Sequence, residues 1–403
     1  MPSTSLPTGG SHEGSFRIGE FYISLQNLVP PDMDFTEVKE GTTRFLVPVQ
    51  DPALPFPPGS APVFFNKRME LSRDTTVLLV SQLRPTRYLD AMGATGARGL
   101  RIAQECGIPV TINDRDPHAY ELIRRNADHC GLPIEVISSD VNVLLSGRRF
   151  DTVDLDPFGT PAPFLDSAIR GTGRYLFLTA TDTAPLCGAH QAAGIRRYFS
   201  IASNNEYHSE TGLRILLSFA VREAVKYDLG IEPLFCFSHE HFIRLHLRLT
   251  HGARAADRTL SHIGFILQCP SCPFRTEQSG ILPNPGRCPE CGSELKPVGP
   301  LWRGSISDPG TLAAMEARIP EKTLGTAAEI GKLLSICRQE MDTSSHYDYH
   351  ILAKFCRVSP PPMETMLNYI RDEGFPATRT HYSGTSFKSR APLGVIYSAL
   401  LGH

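Results

Sequence analysis

Short apolar runs alternate with longer amphipathic stretches up to about residue 250 of the chain. The runs predict strands near residues 87–90, 110–114, 135–138, 150–155 and 174–180, and the amphipathic stretches predict helices near 66–83, 118–126, 162–169 and 212–227. Alternating strands and helices are typical of an α/β fold with a mainly parallel sheet. Two further runs, at 233–238 and 242–249, predict an antiparallel pair that closes this sheet.

Four of the predicted strands end at or beside an aspartate: Asp90, Asp114, Asp140 and Asp156. The carboxyl ends of parallel strands share one edge of a sheet, and open α/β sheets bind their ligands there. A single acid at a strand end is common, whereas four acids around one edge favour a binding crevice. We therefore predict that these four side chains line one hollow.

The last of these strands lies in residues 150–159, which read F-D-T-V-D-L-D-P-F-G. Pro157 ends the strand because it cannot donate to a ladder, and Gly159 permits unusual backbone angles. The strand end therefore presents Asp156, the Pro157 carbonyl and the Phe158 ring. A carboxylate and a carbonyl can accept the two hydrogens of an amine, and an aromatic ring can stack on a planar base. An ordinary strand end with a tight turn is the alternative.

A glycine-rich turn follows the first of these four strands. From Asp90 to Gly99 its order is D-x-x-x-x-x-G-x-x-G, which differs from the dinucleotide-binding G-x-G-x-x-G. The acid at the strand end favours a ligand with a positively charged amine over a pyrophosphate. Asp114 follows the glycines by about 20 residues, where a ribose diol is usually bound. A purely structural turn is the alternative.

Composition narrows the class of protein. Hydrophobic residues make up 41% and charged residues 20% of the 403 residues, as in a soluble globular protein, and no apolar run approaches the roughly 18 residues that span a bilayer. The net charge of −2 means that a nucleic-acid partner would need a local basic patch. The length predicts domains at 35–250 and 251–403 after a flexible lead at 1–34 without signal-peptide features. Residues 35–66 are expected to be extended and irregular, because proline is frequent there.

Four of the ten cysteines stand in two C-x-x-C pairs, and the other six are scattered. Cys269 and Cys272 follow a predicted strand, and Cys288 and Cys291 come after a gap of 15 residues. This spacing predicts a closed, tetrahedral Zn²⁺ site with a structural role, in a ribbon at 264–296. A redox pair or a metal-free hairpin is the alternative.

The last part of the chain has the pattern of helices followed by a hairpin. Residues 322–392 resemble a winged helix, whose basic hairpin residues are candidates for contacts with phosphates. These candidates are Arg379, His381, Lys388 and Arg390. A small packing domain with an ordinary solvated loop is the alternative.

Five motifs together resemble those of the tRNA guanine-26 N(2)-dimethyltransferase family. They are P-V-F-F-N-K-R-M-x-L-x-R-D at 62–74, L-D-A-M-G-A-T-G-A-R-G at 89–99, D-L-D-P-F-G-T-P at 154–161, T-A-T-D-T-A-P-L-C-G-A-H at 179–190 and A-T-R-T-H-Y-S at 377–383. The resemblance covers nearly all of residues 38–392. It implies a Rossmann-like class I S-adenosylmethionine-dependent methyltransferase domain, followed by a smaller α+β C-terminal domain that binds tRNA.

The resemblance also implies roles for individual residues. The cofactor S-adenosylmethionine would be held by Arg73, Asp90, Arg98, Asp114, Asp140 and the backbone of Val141. The guanine amine would donate hydrogen bonds to Asp156 and to the Pro157 carbonyl, while the rings of Phe158 and Phe64 stack on the base. Zinc ribbons occur in only part of such families, so the cysteine site depends on its own spacing.

The function predicted is methylation of the exocyclic 2-amino group of guanosine 26 in tRNA, giving N(2)-methyl- and N(2),N(2)-dimethylguanosine. We expect a cytoplasmic monomer that binds tRNA and does not associate with a membrane. A cytosine carbon-5 mechanism would need a thiol nucleophile, and no cysteine lies in the D-P-F-G loop. Two alternatives stay open: amine methylation of another RNA or of adenine, and a non-enzymatic RNA-binding factor on a methyltransferase scaffold.

Overall fold

A computed structural model describes residues 34–49 and 63–402 of the chain. The predicted lead at 1–34 therefore lies outside the described residues, apart from Asp34, and so does the proline-rich segment at 50–62. In the part of the chain that is described, no helix is long and apolar enough to cross a membrane.

The first part of the described chain alternates strands and helices as predicted. Its strands are β1 (Phe35–Glu40), β2 (Thr43–Pro48), β3 (Tyr88–Asp90), β4 (Val110–Asn113), β5 (Glu135–Ile137), β6 (Phe150–Leu155), β7 (Thr172–Ala180), β8 (Leu229–His239) and β9 (Phe242–His251). Its helices are α1 (Glu70–Leu83), α2 (Ala97–Cys106), α3 (Pro117–Cys130), α4 (Val141–Gly147), α5 (Leu165–Gly171), α6 (Thr183–Leu186), α7 (Gln191–Tyr198) and α8 (His208–Ala224). The expectation of irregular chain was wrong for β1 and β2, which form an antiparallel hairpin.

Seven strands form the central sheet in the order β5-β4-β3-β6-β7-β9-β8. The first five are parallel, and β9 and β8 add an antiparallel pair beside β7. This order confirms the predicted α/β class with a Rossmann-like domain. Asp90 at the end of β3 is in register with Ile112 on β4 and Asp154 on β6, so the ends of these strands meet at one edge.

The remaining elements pack on this sheet and extend beyond it. They are α9 (Ala253–Leu260), β10 (Ile263–Gln268), β11 (Arg275–Ser279), β12 (Lys296–Trp302), α10 (Pro309–Arg318), α11 (Ala327–Gln339), β13 (Tyr347–Asp348), α12 (Tyr349–Cys356), α13 (Met363–Asp372), β14 (Ala377–Arg379), β15 (Ser386–Ser389) and α14 (Leu393–Leu401). Strands β10 to β12 form one antiparallel sheet, and β13 to β15 form another. Helices α11 to α13 and the hairpin β14–β15 match the predicted winged-helix-like order.

The hydrophobic cores continue across residue 250. One core joins buried residues of β6, β7 and β9 to Ile263 and Trp302, and a second joins buried residues of α1 to Leu312 and Leu334. A third core lies within residues 352–400. Strands β10 and β12 and helices α10 and α11 therefore share the hydrophobic packing of the first domain, whereas the end of the chain packs around a core of its own.

A buried charge network joins α8 to the end of the chain. Glu210 on α8 is 0% exposed and accepts hydrogen bonds from Lys388 Nζ at 2.6 Å and from Arg214 Nε at 3.0 Å. Lys388 Nζ also lies 2.9 Å from Glu340 Oε1, and Glu340 Oε2 lies 2.7 Å from His381 Nδ1. We call these five residues the Glu210 network.

The Glu210 network corrects part of the prediction for the basic hairpin. His381 and Lys388 are buried in this network, so they are not available to phosphates as predicted. Long-range pairing with Glu340 and Glu210 explains their burial, since a buried cation requires a partner. At the surface, Arg379 pairs with Glu364, with 2.6 Å between Nε and Oε1.

Candidate active site

A cavity of about 620 Å³ opens at the carboxyl edge of the sheet. Its wall contains every residue predicted to contact the cofactor or the base: Phe64, Arg73, Asp90, Arg98, Asp114, Asp140, Val141, Asp156, Pro157 and Phe158. The four strand-end aspartates therefore line one hollow, as predicted from their positions alone.

The glycine-rich turn packs tightly against β4. A Cβ atom at Gly93 would come within 2.3 Å of Ile112 Cγ2, and one at Gly99 within 2.6 Å of Ile112 Cγ1. Gly96 has φ 82°, in the left-handed region that favours glycine. These glycines let the chain turn sharply beneath the cavity, so that α2 begins at the cavity wall.

Three of the strand-end aspartates organise the backbone around the cavity. Asp90 Oδ2 accepts a hydrogen bond from the Gly99 N–H at 2.9 Å. The Asp114 carboxylate accepts two backbone N–H groups, both at 2.9 Å, and Asp140 caps α4. A carboxylate has about four acceptor positions, so each of these side chains can still accept hydrogen bonds from a ligand.

Burial changes the ionisation of two of these acids. Asp90 is 2% exposed, and burial raises its pKa to about 7, with the charge of Arg98 opposing this rise and that of Asp154 adding to it. Burial also raises the pKa of Asp114. A cationic ligand group beside Asp90 would favour its ionised form.

Both predicted arginines are buried and donate hydrogen bonds within the protein. Arg73 donates two to the Glu40 carboxylate of β1, at 2.5 and 2.7 Å. Arg98 donates to Asp156 and, at 3.0 Å, to Thr76 Oγ1 on α1. Arg98 thus joins the first turn of α2 to Asp156, which follows β6, a contact that was not predicted from the sequence.

The residues that follow β6 form the more exposed part of the cavity wall. The Asp156 side chain is 23% exposed, and Phe158 is 73% exposed. The rings of Phe64 and Phe158 meet edge to face, with centroids 4.6 Å apart and planes at 88°. The Gly159 N–H donates to Thr181 Oγ1 at 2.9 Å, which fixes the loop to the end of β7. This arrangement offers a hydrogen-bond acceptor beside aromatic faces.

A second charge network lies behind Asp156. Asp154 on β6 is fully buried and accepts hydrogen bonds from Arg244 on β9 at 2.8 and 2.5 Å. The Tyr88 hydroxyl also donates to Asp154, and Arg98 Nε lies 3.8 Å from it. We call Asp154, Tyr88, Arg98 and Arg244 the Asp154 network.

The Asp154 network has a defined charge state near neutral pH. Burial alone would raise the pKa of Asp154, but Arg244 and Arg98 hold it well below its usual range. His246 accepts a hydrogen bond from Arg244 Nε at 3.2 Å, and burial together with the charge of Arg244 holds the pKa of His246 well below its usual value. Asp154 is therefore a carboxylate and His246 a neutral imidazole.

Several residues of the cavity wall, including His241 and Thr181, were not predicted from the sequence. The predicted antiparallel pair carried a signal for His241: because β9 runs antiparallel to β7, the turn before β9 lies at the carboxyl edge. The pair of Arg244 and Asp154 had no local signal, since its members lie 90 residues apart in the chain.

The four predicted zinc ligands lie together in the ribbon. The sulfur atoms of Cys269, Cys272, Cys288 and Cys291 are within 4.8 Å of one another; those of Cys269 and Cys291 are 3.4 Å apart, and those of Cys272 and Cys288 are 3.5 Å apart. A tetrahedral zinc ion with Zn–S bonds of about 2.3 Å places its sulfurs about 3.8 Å apart. The four thiols therefore fit the coordination of one such ion.

Comparisons with known proteins cover almost the whole described chain. A family model described as N2,N2-dimethylguanosine tRNA methyltransferase matches residues 41–401. The tRNA (guanine(26)-N(2))-dimethyltransferase of Methanoculleus marisnigri is 61% identical over 370 residues, which are 92% of this chain and 100% of that protein. The protein of the same name from Methanoregula boonei is 62% identical over 92% of this chain and 99% of its own length.

One solved structure also matches over both halves of the molecule. It is described as a complex of Trm1 from Pyrococcus horikoshii with S-adenosyl-L-methionine. The TM-score is 0.82 at 34% sequence identity, and the match covers 91% of this chain and 99% of that one. The similarity thus includes the elements around the cavity and those of the C-terminal part.

Proposed function

The chain belongs to the N2,N2-dimethylguanosine tRNA methyltransferase family, and we propose that it methylates the 2-amino group of guanosine 26 in tRNA. The methyl donor is S-adenosylmethionine, and the products are N(2)-methyl- and N(2),N(2)-dimethylguanosine. One observation carries this proposal: Asp156, which accepts a hydrogen bond from Arg98, lines the same cavity as the strand-end aspartates predicted to bind the cofactor. The names of the relatives and the ligand of the Trm1 structure support the substrate and the donor.

The cavity fits S-adenosylmethionine in size and in its polar groups. Its volume of about 620 Å³ falls within the range of small-molecule sites. Asp90 would hold the ammonium group, Asp114 the ribose hydroxyls, and Asp140 with the Val141 backbone the adenine. Asn113, another wall residue, has a buried Oδ1 without a hydrogen-bond partner among the described residues, as expected of a group that meets a ligand. When bound, the cofactor supplies an electrophilic methyl group on a positively charged sulfur.

The residues after β6 would bind and orient the guanine amine. This amine is a weak nucleophile, because its lone pair is delocalised into the ring. Hydrogen bonds from its two N–H groups to Asp156 and to the Pro157 carbonyl would direct the lone pair towards the methyl group. Positioning of this kind has a ceiling of roughly 7–11 kcal/mol. Arg98 keeps the Asp156 carboxylate in place from behind.

The remaining steps are stacking of the base on an aromatic ring and loss of a proton from the amine. Because the planes of Phe64 and Phe158 stand at 88°, a base can stack on the face of one ring but not between parallel rings. The amine becomes acidic once it is methylated, so Asp156 or water can take its proton. The second methylation needs room for one N-methyl group beside these rings.

Substitution of Asp156 tests this function. Unmodified tRNA is incubated with S-adenosylmethionine and wild-type protein, Asp156→Ala or the control Asp166→Ala, whose carboxylate is exposed and pairs with Arg170. Nucleoside mass spectrometry should find dimethylguanosine at position 26 with the wild type and the control. Asp156→Ala should make none while binding the cofactor normally in calorimetry. Wild-type turnover by Asp156→Ala would refute the role of Asp156, and absence of the product with the wild type would refute the function.

We also propose that the four-cysteine cluster holds a structural zinc ion. The spacing of the sulfur atoms and the absence of an open position in a set of four thiolates support this role. Metal analysis should find about one zinc per chain in the wild type and less in Cys272→Ser. Cys356→Ser, which changes a cysteine outside the cluster, should keep the full zinc content. Equal zinc content in all three proteins would contradict the proposal.

The C-terminal part at 251–403 is proposed to contribute tRNA contacts, although His381 and Lys388 are excluded from them by burial.

The monomeric state and the cytoplasmic location stay predictions of the sequence. Light scattering at several protein concentrations measures the first, and a constant mass equal to one chain is expected.

A further inference from the structure

Helix α7 ends at a phenylalanine in an unusual backbone conformation. Phe199 has φ 49° and ψ 41°, in the left-handed region, and its N–H donates to the Ile195 carbonyl at 2.9 Å. Glycine or asparagine usually occupies this position after a helix, because a Cβ atom is strained there. Among the described non-glycine residues with positive φ, Phe199 is the only aromatic.

Burial does not compensate for this strain, because Phe199 is 67% exposed. Ile195, 45% exposed, lies one helical turn earlier, and Arg196 and Arg197 between them are exposed as well. We call Ile195, Arg196, Arg197 and Phe199 the α7 patch. An exposed aromatic ring in a strained conformation beside two arginines is a costly arrangement for a surface without a partner.

The α7 patch is fixed to the loop that carries Asp156. Tyr198, which precedes Phe199, is buried, and its hydroxyl lies 2.7 Å from both Thr160 Oγ1 and Asp182 Oδ1. Thr160 directly follows the D-P-F-G sequence. The end of α7 and the proposed base-binding loop therefore form one connected unit, and a large ligand with one base at Asp156 would cover the surface beside it.

We propose that the α7 patch binds the tRNA strand next to the target guanosine. Phe199 stacks on a neighbouring unpaired base, and Arg196 contacts a phosphate, while Arg197 also pairs with Asp182 at 3.0 Å. Aromatic rings that stack on bases, combined with arginines that meet the backbone, are the usual means of binding single-stranded RNA. This inference rests on the proposed function, since it takes tRNA as the substrate.

Substitution of Phe199 by glycine separates a binding role from a structural one. Glycine relieves the left-handed strain, so Phe199→Gly should raise the midpoint of thermal unfolding. The same substitution should raise the tRNA dissociation constant by about 5- to 150-fold, the usual effect of removing one stacking ring. The maximal rate at saturating tRNA should stay close to that of the wild type. Fluorescence anisotropy with labelled tRNA at one fixed salt concentration measures the affinity.

Two further variants make the test specific. Asp228→Gly changes another exposed residue with positive φ, 53°, so it should raise stability without changing the affinity for tRNA. Arg196→Gln should weaken binding and reduce the slope of log affinity against log salt by about one.

The possible outcomes are distinguishable. Unchanged tRNA affinity in Phe199→Gly would overturn the inference and leave the patch as a surface for another protein. Lower stability in that variant would overturn it too, because Phe199 would then be a packing residue. If wild-type protein methylates tRNA while Phe199→Gly binds normally, only this inference fails. If wild-type protein does not methylate tRNA, the proposed function fails first.

Discussion

The Asp154 network and the Glu210 network are built from similar groups but differ in what they adjoin. In each, a fully buried carboxylate pairs with at least two cationic side chains. The Asp154 network reaches the cavity through Arg98 and the partly exposed Asp156. Side chains are at most 5% exposed in the Glu210 network and at most 6% exposed in the Asp154 network, so exposure does not separate the two. One network lies behind the candidate active site, whereas the other joins two parts of the chain.

This difference shows that a perturbed pKa is not by itself a sign of a site. Burial opposes the charge of His381, yet Cys337 and Glu340 raise its pKa to about 10. Likewise, burial would raise the pKa of Glu340, but Lys388 and His381 lower it to about 2. The pKa shift of His381 is as large as that of Asp90 in the cavity, although the His381 side chain is fully buried. Position in the cavity at the carboxyl edge of the sheet, in addition to the pKa shift, distinguishes Asp90 from these structural groups.

The largest effect is expected from breaking the Asp154 network. Arg244→Met leaves Asp154 buried with too few cations, so the free energy of unfolding should fall by about 3–5 kcal/mol. Urea denaturation followed by circular dichroism measures this change. The control is Arg248→Met, on the same strand, whose exposed pair with Glu232 should contribute less than about 1 kcal/mol. Similar losses in both variants would show that burial does not distinguish these pairs.

A smaller loss is expected from the Glu210 network. Lys388→Met removes one cation, but Arg214 still pairs with Glu210, so we expect a loss of about 1.5–3 kcal/mol. Calorimetric affinity for S-adenosylmethionine should not change, because this network does not reach the cavity. Lys226→Met, which breaks an exposed pair with Glu223, is the control. A clear fall in cofactor affinity in Lys388→Met would mean that the two networks are coupled.

The pH dependence of stability should also reveal the Glu210 network, through His381. The folded-state pKa of His381, about 10, lies above its usual value of 6.5. Its stabilising contribution is therefore complete below about pH 6.5 and is lost as the pH rises towards 10. From about pH 7 to about pH 9, the wild type should lose about 2 kcal/mol more than His381→Asn. Parallel stability curves for the two proteins would contradict this assignment.

The smallest effect concerns Asp90 in the candidate active site. With a pKa of about 7, Asp90 is largely protonated at about pH 6 and ionised at about pH 8. Because the ionised form attracts a cation, the affinity for S-adenosylmethionine should rise by up to about tenfold over this range. Asp90→Asn should flatten the dependence, while Asp151→Asn, at the other end of β6, should not. An unchanged pH profile in Asp90→Asn would exclude Asp90 as the group responsible.

The parts of the site that could be predicted from sequence are those set by neighbours in the chain. An acid that ends an apolar run, and a proline or glycine that follows it, determine locally where a strand stops. Parallel topology then brings Asp90, Asp114 and Asp156 to one edge without further information. The C-x-x-C pairs carry their geometry in their spacing in the same way.

The residues that were missed or misassigned depend on pairing across the fold. Arg244 meets Asp154 only because β9 lies beside β7, and Lys388 meets Glu210 across 178 residues of chain. A basic residue in a predicted hairpin looks solvated until its buried partner is known. The hairpin of β1 and β2 was missed for a different reason, because frequent prolines nearby concealed two short strands.

The burial of Trp302 gives the molecule an optical reporter of its own assembly. It is the only tryptophan in the chain, it lies in the core shared across residue 250, and its carbonyl accepts a hydrogen bond from Arg214 at 3.0 Å. The fluorescence of Trp302 therefore reports on the packing between the parts of the chain before and after residue 250. A red shift of the Trp302 emission would signal that water has entered this shared core, without any label on the protein.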